Sequence, residues 1–310
     1  MKRRDFLYMT AAAVAAGRAQ AAPQTEVERY RHARRYVDLP CGRIAYVERG
    51  KGAAALFLHG APLNGFQWRG AIDRLAPYRR CIAPDFPGLG YSQVPEDQSV
   101  APAAQVAMLA ALLDALGVDQ ADIVAADSGG AVAQMFLVRY PARVRTLLLT
   151  NCDTEPNSPP PMIQPVLDMA RAGTLADDTA TWLADGNRAR ATFGAAVYHD
   201  PALLTDDIID YYVAPLVSTP LRRRQYHAFH NALAPNPLAG IEAALRRSTV
   251  PVRMVWGASD IIFPMADAAY LDRIFPRSQG IRRVPKGKLF FQEEFPDVIA
   301  EEVLHLWDVG

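Results

Sequence analysis

The stretch Ile123-Val-Ala-Ala-Asp-Ser-Gly-Gly130 decides the fold predicted for this chain of 310 residues. It begins as a short β-branched run and ends in two glycines, which predicts a buried strand, a sharp turn and a helix. Asp127 lies at the turn. The helix dipole stabilises a negative charge at such a position by about 0.3–1 kcal/mol. The stretch therefore favours an ionised, reactive carboxylate, and the simpler interpretation is an aspartate that caps the helix.

Outward from this stretch, strand-like and helix-like patterns alternate, which predicts an α/β fold with a mostly parallel sheet. The predicted strands are short apolar runs, of which the first two form an antiparallel pair. They lie at 36–39, 44–48, 54–59, 80–84, 123–126, 146–150, 252–257 and 281–284. Helices are predicted at 105–116, at 130–140 and after Pro296.

The alternation stops at Thr154, where a proline-rich linker begins, and the residues up to 248 show helical patterns without a convincing strand. We predict a core made of residues 35–154 and 249–310, with a helical cap at 155–248 between them. Such a cap would cover the carboxyl ends of the strands, where open α/β sheets place their sites.

Five motifs resemble, in their order along the chain, those of the α/β-hydrolase superfamily, and most of all its haloalkane dehalogenase and epoxide hydrolase branch. They are His59-Gly-Ala-Pro62, Asp85-Phe-Pro-Gly-Leu-Gly-Tyr-Ser92, Ala125-Ala-Asp-Ser-Gly-Gly130, Trp256-Gly-Ala-Ser-Asp260 and Gln292-Glu-Glu-Phe-Pro296. The resemblance covers residues 35–308. It implies the α/β-hydrolase fold, a mostly parallel eight-stranded sheet with a helical cap inserted after strand 6.

Two registers of the third motif fit the family pattern of a nucleophile between small residues. One places Asp127 at the nucleophile position, and the other places Ser128 there. Relatives continue to Arg-Tyr-Pro, with the proline fourteen residues beyond the nucleophile, and counting back from Pro141 favours Asp127. The resemblance then implies an oxyanion hole made by the backbone N–H groups of Ala61 and Ser128.

The family also places an acid after strand 7, and Asp260 matches that motif. Asp153 lies near an alternative position after strand 6 and is a possible residue of the site wall. For both residues the simpler interpretation is an aspartate that stabilises a turn or caps a helix.

The catalytic histidine of the family has no counterpart at its usual position. Relatives carry His-x-x-Gln-Glu-Glu after the eighth strand, whereas Leu289 stands three residues before Gln292 in this chain. In chemistry with a carboxylate nucleophile, that histidine activates the water that hydrolyses the covalent ester. The sequence therefore predicts an intact attacking group and a vacant position for the base.

Three residues are possible substitutes for the base. His227 and His230 belong to the predicted cap, and Lys288 would qualify only if burial lowered its pKa. Epoxide hydrolases use cap tyrosines to protonate the opening oxygen. The cap contains Tyr198, Tyr211, Tyr212 and Tyr226, and of these we select Tyr211 and Tyr212 as possible residues of the site. The simpler interpretation of each of these side chains is packing or solvation.

Dehalogenases usually hold the departing halide with a polar side chain just after the His-Gly pair and a tryptophan just after the nucleophile. This chain has Ala61 and Ser128 at those positions. The resemblance therefore argues against ordinary haloalkane dehalogenation.

Three functions are compatible with these motifs. The first is hydrolysis of an epoxide, halide or ester bond in a small apolar molecule through nucleophilic Asp127, with an atypical or absent histidine base. The second is a lyase, isomerase or cyclase in which Asp127 is a general base, because such a reaction has no ester to hydrolyse. The third is a ligand-binding protein with impaired catalysis, since a fold does not guarantee a function.

Residues 1–22 have a charged start, a short apolar stretch and a small-x-small site, and they resemble a twin-arginine export signal. This pattern predicts cleavage near Ala21 and a periplasmic mature protein. Cys41, Cys81 and Cys152 show no CxxC spacing, so we expect buried thiols and no disulfide framework.

The balance of 33 basic and 33 acidic residues gives no electrostatic reason to expect nucleic acid as a partner. No stretch after the signal is long and apolar enough for a membrane span. The sequence contains no metal-ligand spacing and no dinucleotide fingerprint, so we expect no cofactor and no metal. Nothing in it indicates an oligomeric state.

Overall fold

The computed structural model describes residues 24–308. They form one eight-stranded sheet and the helices around it. The strands are β1 (Arg34–Leu39), β2 (Gly42–Arg49), β3 (Ala54–Leu58), β4 (Arg80–Pro84), β5 (Ala121–Asp127), β6 (Val144–Cys152), β7 (Val252–Gly257) and β8 (Ser278–Val284). Their order is β1-β2-β4-β3-β5-β6-β7-β8. β2 is antiparallel to β1 and to β4, and the other neighbours are parallel. The predicted fold class is confirmed.

Helices cover both faces of the sheet and the carboxyl end of its strands. Before the sixth strand lie α1 (Glu26–Ala33), α2 (Arg69–Leu75), α3 (Pro102–Ala115) and α4 (Ser128–Arg139). Between β6 and β7 lie α5 (Gln164–Ala172), α6 (Leu175–Ala184), α7 (Gly186–Ala189), α8 (Ala195–Val197), α9 (Asp206–Val217), α10 (Pro220–Asn231) and α11 (Glu242–Leu245). After β7 lie α12 (Met265–Ile274), α13 (Phe291–Glu294) and α14 (Pro296–Leu306).

The central strands are buried on both faces because helices pack on each side of a parallel sheet. Every residue of β3 is buried, as are the first six residues of β5. One face packs against α2 and α14, and the other packs against α3, α4 and α12. This two-sided burial explains why these strands are continuous apolar runs in the sequence.

The segment between β6 and β7 forms the helical cap, and no strand lies among its described residues apart from an isolated bridge at Thr154 and Asn157. The cap includes a π-helical turn at Arg190–Gly194, between α7 and α8. A buried carboxylate ties the cap to the core, since Glu293 accepts hydrogen bonds from the hydroxyls of Tyr198 and Tyr212.

Several features differ from the sequence predictions. Helices α1, α2 and α12 were not predicted, and α3 begins at Pro102 because proline is well suited to the first turn of a helix. Cys41 is only half-buried, whereas Cys81 and Cys152 are buried, and all three thiols are free. The predicted export signal at 1–22 lies outside the described residues and stays a prediction. Among residues 24–308, no helix has the length and apolar character needed to cross a membrane.

Candidate active site

A strained turn between β5 and α4 presents Asp127. The strand ends at this residue and the helix begins at Ser128. Asp127 has φ 52 and ψ −134, a conformation that non-glycine residues rarely adopt and that costs about 1–3 kcal/mol. The residue at the turn is therefore Asp127, while Ser128 is already helical.

Two glycines allow the turn to pack closely. A Cβ atom on Gly60 would overlap the carboxylate of Asp127, and a Cβ atom on Gly130 would overlap the side chain of Cys152. The sequence needs glycine at both positions because the loop after β3 and the strand β6 approach the turn within contact distance.

Backbone N–H groups hold the Asp127 carboxylate. The N–H of Ala61 donates to Oδ2 of Asp127 at 2.8 Å, and the N–H of Ser128 also lowers the pKa of this carboxyl by hydrogen bonding. His59 supports the loop, because its Nε2 accepts the N–H of Phe86 at 2.9 Å and its Nδ1 lies 2.9 Å from the carbonyl oxygen of Gly60. These are the two backbone donors that the family resemblance implied.

The carboxylate faces a cavity of about 320 Å³ between the ends of the strands and the cap. Most of its wall is apolar and comes from cap helices and from the loops after β6 and β7. Representative apolar lining residues are Ile163, Val166, Trp182, Phe193, Val197 and Leu233. The site is therefore a largely hydrophobic pocket whose wall includes the Asp127 carboxylate.

A second carboxyl group lies beside Asp127 in the same cavity wall. Asp153 directly follows Cys152, the residue of β6 that is paired with Asp127. Its Oδ1 accepts the hydroxyl of Ser158 at 2.8 Å. Burial raises the pKa of Asp153 to about 6, against the opposing effect of the Ser158 hydrogen bond.

Burial and the charge of Asp153 both affect the ionisation of Asp127. Burial is the main cause that raises the pKa of Asp127 well above its usual range, and the charge of Asp153 is the second. The N–H groups of Ala61 and Ser128 oppose this rise, and the charge of Asp260 adds a smaller contribution to it. Because like charges repel at short range, the pair retains a proton more readily than an isolated aspartate does.

Asp260 is buried behind the cavity and is not part of its wall. Its Oδ2 accepts Asn151 Nδ2 at 2.8 Å and the N–H of Phe263 at 3.3 Å, and its Oδ1 accepts the N–H of Ile262 at 2.9 Å. Burial raises its pKa to about 6. Both oxygens are thus engaged by an amide side chain and the backbone, and no histidine is among their partners.

Leu289 lies in the cavity wall and is buried. It belongs to the segment between β8 and α13, which is tied to the cap by the hydrogen bond from the N–H of Phe290 to the carbonyl oxygen of Val197 at 3.1 Å. At this position the wall presents only hydrocarbon to a bound molecule.

Of the three substitute bases considered, only His230 reaches the cavity. Burial lowers its pKa to about 4, and its Nδ1 lies 3.0 Å from the carbonyl oxygen of Tyr226. His227 is elsewhere, since its Nε2 accepts the N–H of Ala176 at 2.9 Å at the start of α6. Lys288 is also outside the wall and donates to the carbonyl oxygen of Ala195 at 2.6 Å.

The expectation that Tyr211 and Tyr212 lie in the site is corrected, because neither lines the cavity that holds Asp127. The hydroxyl of Tyr211 accepts Arg34 Nη2 at 2.5 Å. The hydroxyl of Tyr212 donates to Glu293 at 2.8 Å. Tyr226 is the cap tyrosine in the wall, and the helical pattern of the sequence gave no sign of this orientation.

The residues at the mouth of the cavity are not among those predicted from the sequence. Met162 and Ile261 are exposed at 54% and 57%, and both line the cavity as well as an adjoining surface groove. An ion pair stands in the cap part of the wall, where Arg188 Nη2 lies 2.7 Å from Asp178 Oδ1. The part of the chain that the structure describes contains no group of three or more histidine, cysteine or acidic residues arranged for a metal ion.

A family model described as alpha/beta hydrolase fold matches residues 55–295. The chain belongs to the α/β-hydrolase fold family. It is 27% identical over 277 residues to haloalkane dehalogenase 2 of Mycobacterium tuberculosis, an alignment that covers 87% of this chain and 93% of the relative. It is 27% identical over 237 residues to a cis-3-alkyl-4-alkyloxetan-2-one decarboxylase of Shewanella oneidensis, with 71% of each chain covered.

The solved structure of the epoxide hydrolase CorEH has a TM-score of 0.75 and 21% identity, and covers 89% of this chain and 98% of that one. At this identity the likeness concerns the fold. Together with the family match, the relatives identify the protein as a hydrolase-like enzyme.

Proposed function

We propose that the protein is a hydrolase in which Asp127 forms a covalent ester with a small apolar substrate that carries an epoxide, halide or ester bond. The observation that supports this most directly is the setting of Asp127. It stands at the strained turn, with Oδ2 held by the Ala61 N–H, in the wall of an apolar cavity. Nucleophilic carboxylates need this combination of fixed orientation and access.

The two backbone donors suit a carboxylate nucleophile. While Oδ1 attacks the substrate carbon, Oδ2 stays with the N–H group of Ala61, and the N–H of Ser128 also bonds the carboxyl group. When water later attacks Cγ of the ester, negative charge develops on the oxygen that these donors already hold. Ser128 is a weaker candidate for the nucleophile, because its buried Oγ has no hydrogen-bond partner among the described residues and therefore no base to activate it.

An epoxide fits the site better than a halide. At the two family positions whose polar and tryptophan side chains hold a departing halide, this chain has Ala61 and Ser128. The carboxyl groups of Asp153 and Asp260 act on the same region and disfavour an anionic leaving group. The apolar wall and the exposed Met162 and Ile261 at the mouth favour a hydrophobic molecule.

A second candidate is a non-hydrolytic reaction in which Asp127 is a general base. The raised pKa of Asp127 supports it, because a raised pKa makes the carboxylate a stronger base. Leu289 in the wall supports it too, since no ester would need hydrolysis. One relative of the chain is named for decarboxylation and not for hydrolysis.

Labelled water separates the two candidates. The enzyme is mixed with a slight excess of an epoxide, an alkyl halide or an activated ester in ¹⁸O-water, and intact mass and peptide mapping follow. The hydrolase predicts an adduct at Asp127 and, after turnover, ¹⁸O in the Asp127 carboxylate, and Asp127→Asn abolishes both. Product without an adduct and without label at Asp127 would favour the general base.

The serine register is tested in the same assay. Ser128→Ala keeps its backbone N–H, so the adduct should still form at Asp127. Loss of the adduct in Ser128→Ala and its survival in Asp127→Asn would contradict the proposal. No adduct and no product across the whole substrate panel would contradict both candidate functions.

A further inference from the structure

Asp153, the second carboxyl group in the cavity wall, lies next to Asp127 on the neighbouring strand. Residues paired between neighbouring parallel strands lie roughly 4.8 Å apart, and Asp127 is paired with Cys152, the residue before Asp153. Both carboxyl groups line the one cavity, and no hydrogen bond joins them directly. A substrate oxygen or a water molecule can therefore contact both.

Asp153 is firmly positioned and keeps one oxygen available. Its carbonyl oxygen accepts Gln134 Nε2 at 2.8 Å, and the same Nε2 donates to the carbonyl oxygen of Gly130 at 3.0 Å. Its Oδ1 accepts the hydroxyl of Ser158. Besides Ser158, only the backbone N–H of Asp153 itself donates to this carboxyl, and no other described residue donates a hydrogen bond to its Oδ2. A buried carboxyl with a fixed backbone and a free oxygen is suited to proton transfer.

The partners of the two carboxyl groups decide which form of the pair can react. Asp127 accepts backbone N–H groups, which favour its ionised form and oppose the rise in pKa caused by burial and by the charge of Asp153. Asp153 accepts its own backbone N–H and the hydroxyl of Ser158, and this hydroxyl can donate to a carboxylate or accept from a carboxylic acid. With one proton on the pair, the form that carries it on Asp153 leaves Asp127 ionised and able to attack.

The other ionisable groups are less suitable. Both oxygens of Asp260 are occupied by Asn151 and by backbone N–H groups, outside the cavity wall. His230 belongs to the cap helix α10, and its burial leaves it weakly basic. Leu289 offers no proton acceptor at the family position.

We propose that Asp153 is the acid and base of this site, a proposal that rests on the covalent hydrolysis described above. As Asp127 Oδ1 bonds to an epoxide carbon, the carbon–oxygen bond of the epoxide breaks and Asp153 gives its proton to the departing oxygen. The resulting carboxylate of Asp153 then takes a proton from a water molecule whose oxygen attacks Cγ of the ester. The ester bond to the substrate breaks, the second proton of that water goes to the released alcohol, and both aspartates return to their starting states.

The two steps differ in their pH dependence. Ester formation needs one proton on the pair, so it should rise as pH passes about 6, where the first proton leaves, and fall again at higher pH, where the second leaves, because the pKa of Asp127 is raised well above its usual range. Ester hydrolysis needs the carboxylate of Asp153 and should only rise through about 6. Asp127, Asp260 and Asp267 are the acidic groups that act on this region from neighbouring elements. From the cap, the ionisable groups of the cavity are His230, Tyr226 and the Asp178–Arg188 pair.

A matched pair of substrates tests the proposal. Styrene oxide needs a proton at its departing oxygen, whereas benzyl bromide releases bromide without one. Ester formation and ester decay at Asp127 are followed by quenched-flow mass spectrometry. We expect Asp153→Asn to slow ester formation from styrene oxide by about 10²–10⁴-fold, far more than from benzyl bromide, and to make the benzyl ester persist.

Two histidines provide the comparison. His227→Gln, outside the cavity, should leave the rates with both substrates unchanged. If His230→Gln removes the step near pH 6 and Asp153→Asn keeps it, the proposal fails and His230 is the base. An equal loss on both substrates in Asp153→Asn would indicate a merely structural role and also overturn it.

The assay also distinguishes this proposal from the function on which it rests. If the unmodified enzyme turns over styrene oxide without any adduct at Asp127, the covalent mechanism fails and the role of Asp153 fails with it. If the adduct forms but Asp153→Asn leaves both steps intact, only the role of Asp153 is overturned. Should Asp153→Asn fold poorly by circular dichroism, the unmodified enzyme gives the same decision: ester formation should fall at high pH while ester hydrolysis does not, and a parallel fall of both steps would overturn the proposal.

Discussion

Leu289 and Asp153 are two residues of the cavity wall that determine the chemistry available beside Asp127. Leu289 gives the wall hydrocarbon where relatives carry their histidine, and Asp153 adds a carboxyl group with a free oxygen beside Asp127. A histidine at position 289 would lie in the same cavity wall as Asp127, whose pKa is already raised in part by the charge of Asp260. The site therefore retains part of the electrostatic support that a histidine there would need.

We expect Leu289→His to speed decay of the Asp127 ester by at least tenfold, because an imidazole in the wall can activate the attacking water. Single-turnover mass spectrometry of the benzyl ester measures this. Leu289→Gln is the matched control, as it introduces a polar side chain without a comparable base. Equal rates in the two variants would count against our alignment of the segment after β8.

Gly60 is a second residue with a direct consequence. A Cβ atom at this position would overlap the Asp127 carboxylate, so we expect Gly60→Ala to displace Asp127 and slow ester formation by about 100-fold or more. The rate of adduct formation measures the effect, and circular dichroism checks that the variant folds. Adduct formation at the normal rate would show that the loop after β3 moves freely.

At the scale of elements, one buried charge contributes to the attachment of the cap. Glu293, at 0% side-chain exposure, forms an ion pair with Arg69, at 7%, and accepts the hydroxyls of Tyr198 and Tyr212 from the cap. Removing one partner of a buried pair leaves the other charge uncompensated. Tyr212, a possible site residue from the sequence, donates its hydroxyl to Glu293 in this network and does not line the cavity.

We expect Glu293→Gln to lower the free energy of unfolding by about 3 kcal/mol, because Arg69 then keeps a buried positive charge with only Glu26 as its acidic partner. Urea denaturation measures the change. Asp297→Asn is the control, since its exposed pair with Arg74 joins α2 to α14 at the surface and should matter little. Similar effects from both substitutions would refute the importance of the buried network.

At the scale of the whole molecule, the acidic site is a source of instability at neutral pH. In the folded chain Asp153 has a pKa of about 6, above its value in an unfolded chain. Its contribution to stability is therefore greatest at low pH and is lost as pH rises from about 4 to about 6. His230, with its pKa lowered to about 4, contributes in the opposite direction over the same range.

A difference measurement isolates Asp153. We expect Asp153→Asn to be more stable than the unmodified protein at pH 7.5 by up to about 3 kcal/mol, since two units of pKa correspond to roughly that energy. The two proteins should converge near pH 4. Urea denaturation at a series of pH values gives the difference, and a constant gap across the range would contradict the assigned pKa.

The sequence by itself determined the strand order along the chain, the cap after the sixth strand and the position of Asp127 at the turn. These features rest on local signals: apolar runs, glycines at close contacts and fixed spacing to Pro141. The backbone donors Ala61 and Ser128 were implied by the family resemblance; Ser128 lies at the turn itself, and Ala61 lies in the loop after β3.

Only the tertiary structure decided which side chains share the cavity. His230 enters it while His227 caps α6, and Tyr226 enters it while Tyr211 and Tyr212 are engaged elsewhere. The periodicity of a helix shows which of its faces is apolar, but not whether that face meets a cavity or another helix. Asp153 and Asp260 are also distinguished by their three-dimensional neighbours. Asn151, distant in sequence, and the nearby N–H groups of Ile262 and Phe263 occupy both oxygens of Asp260, whereas no other described residue donates to Oδ2 of Asp153.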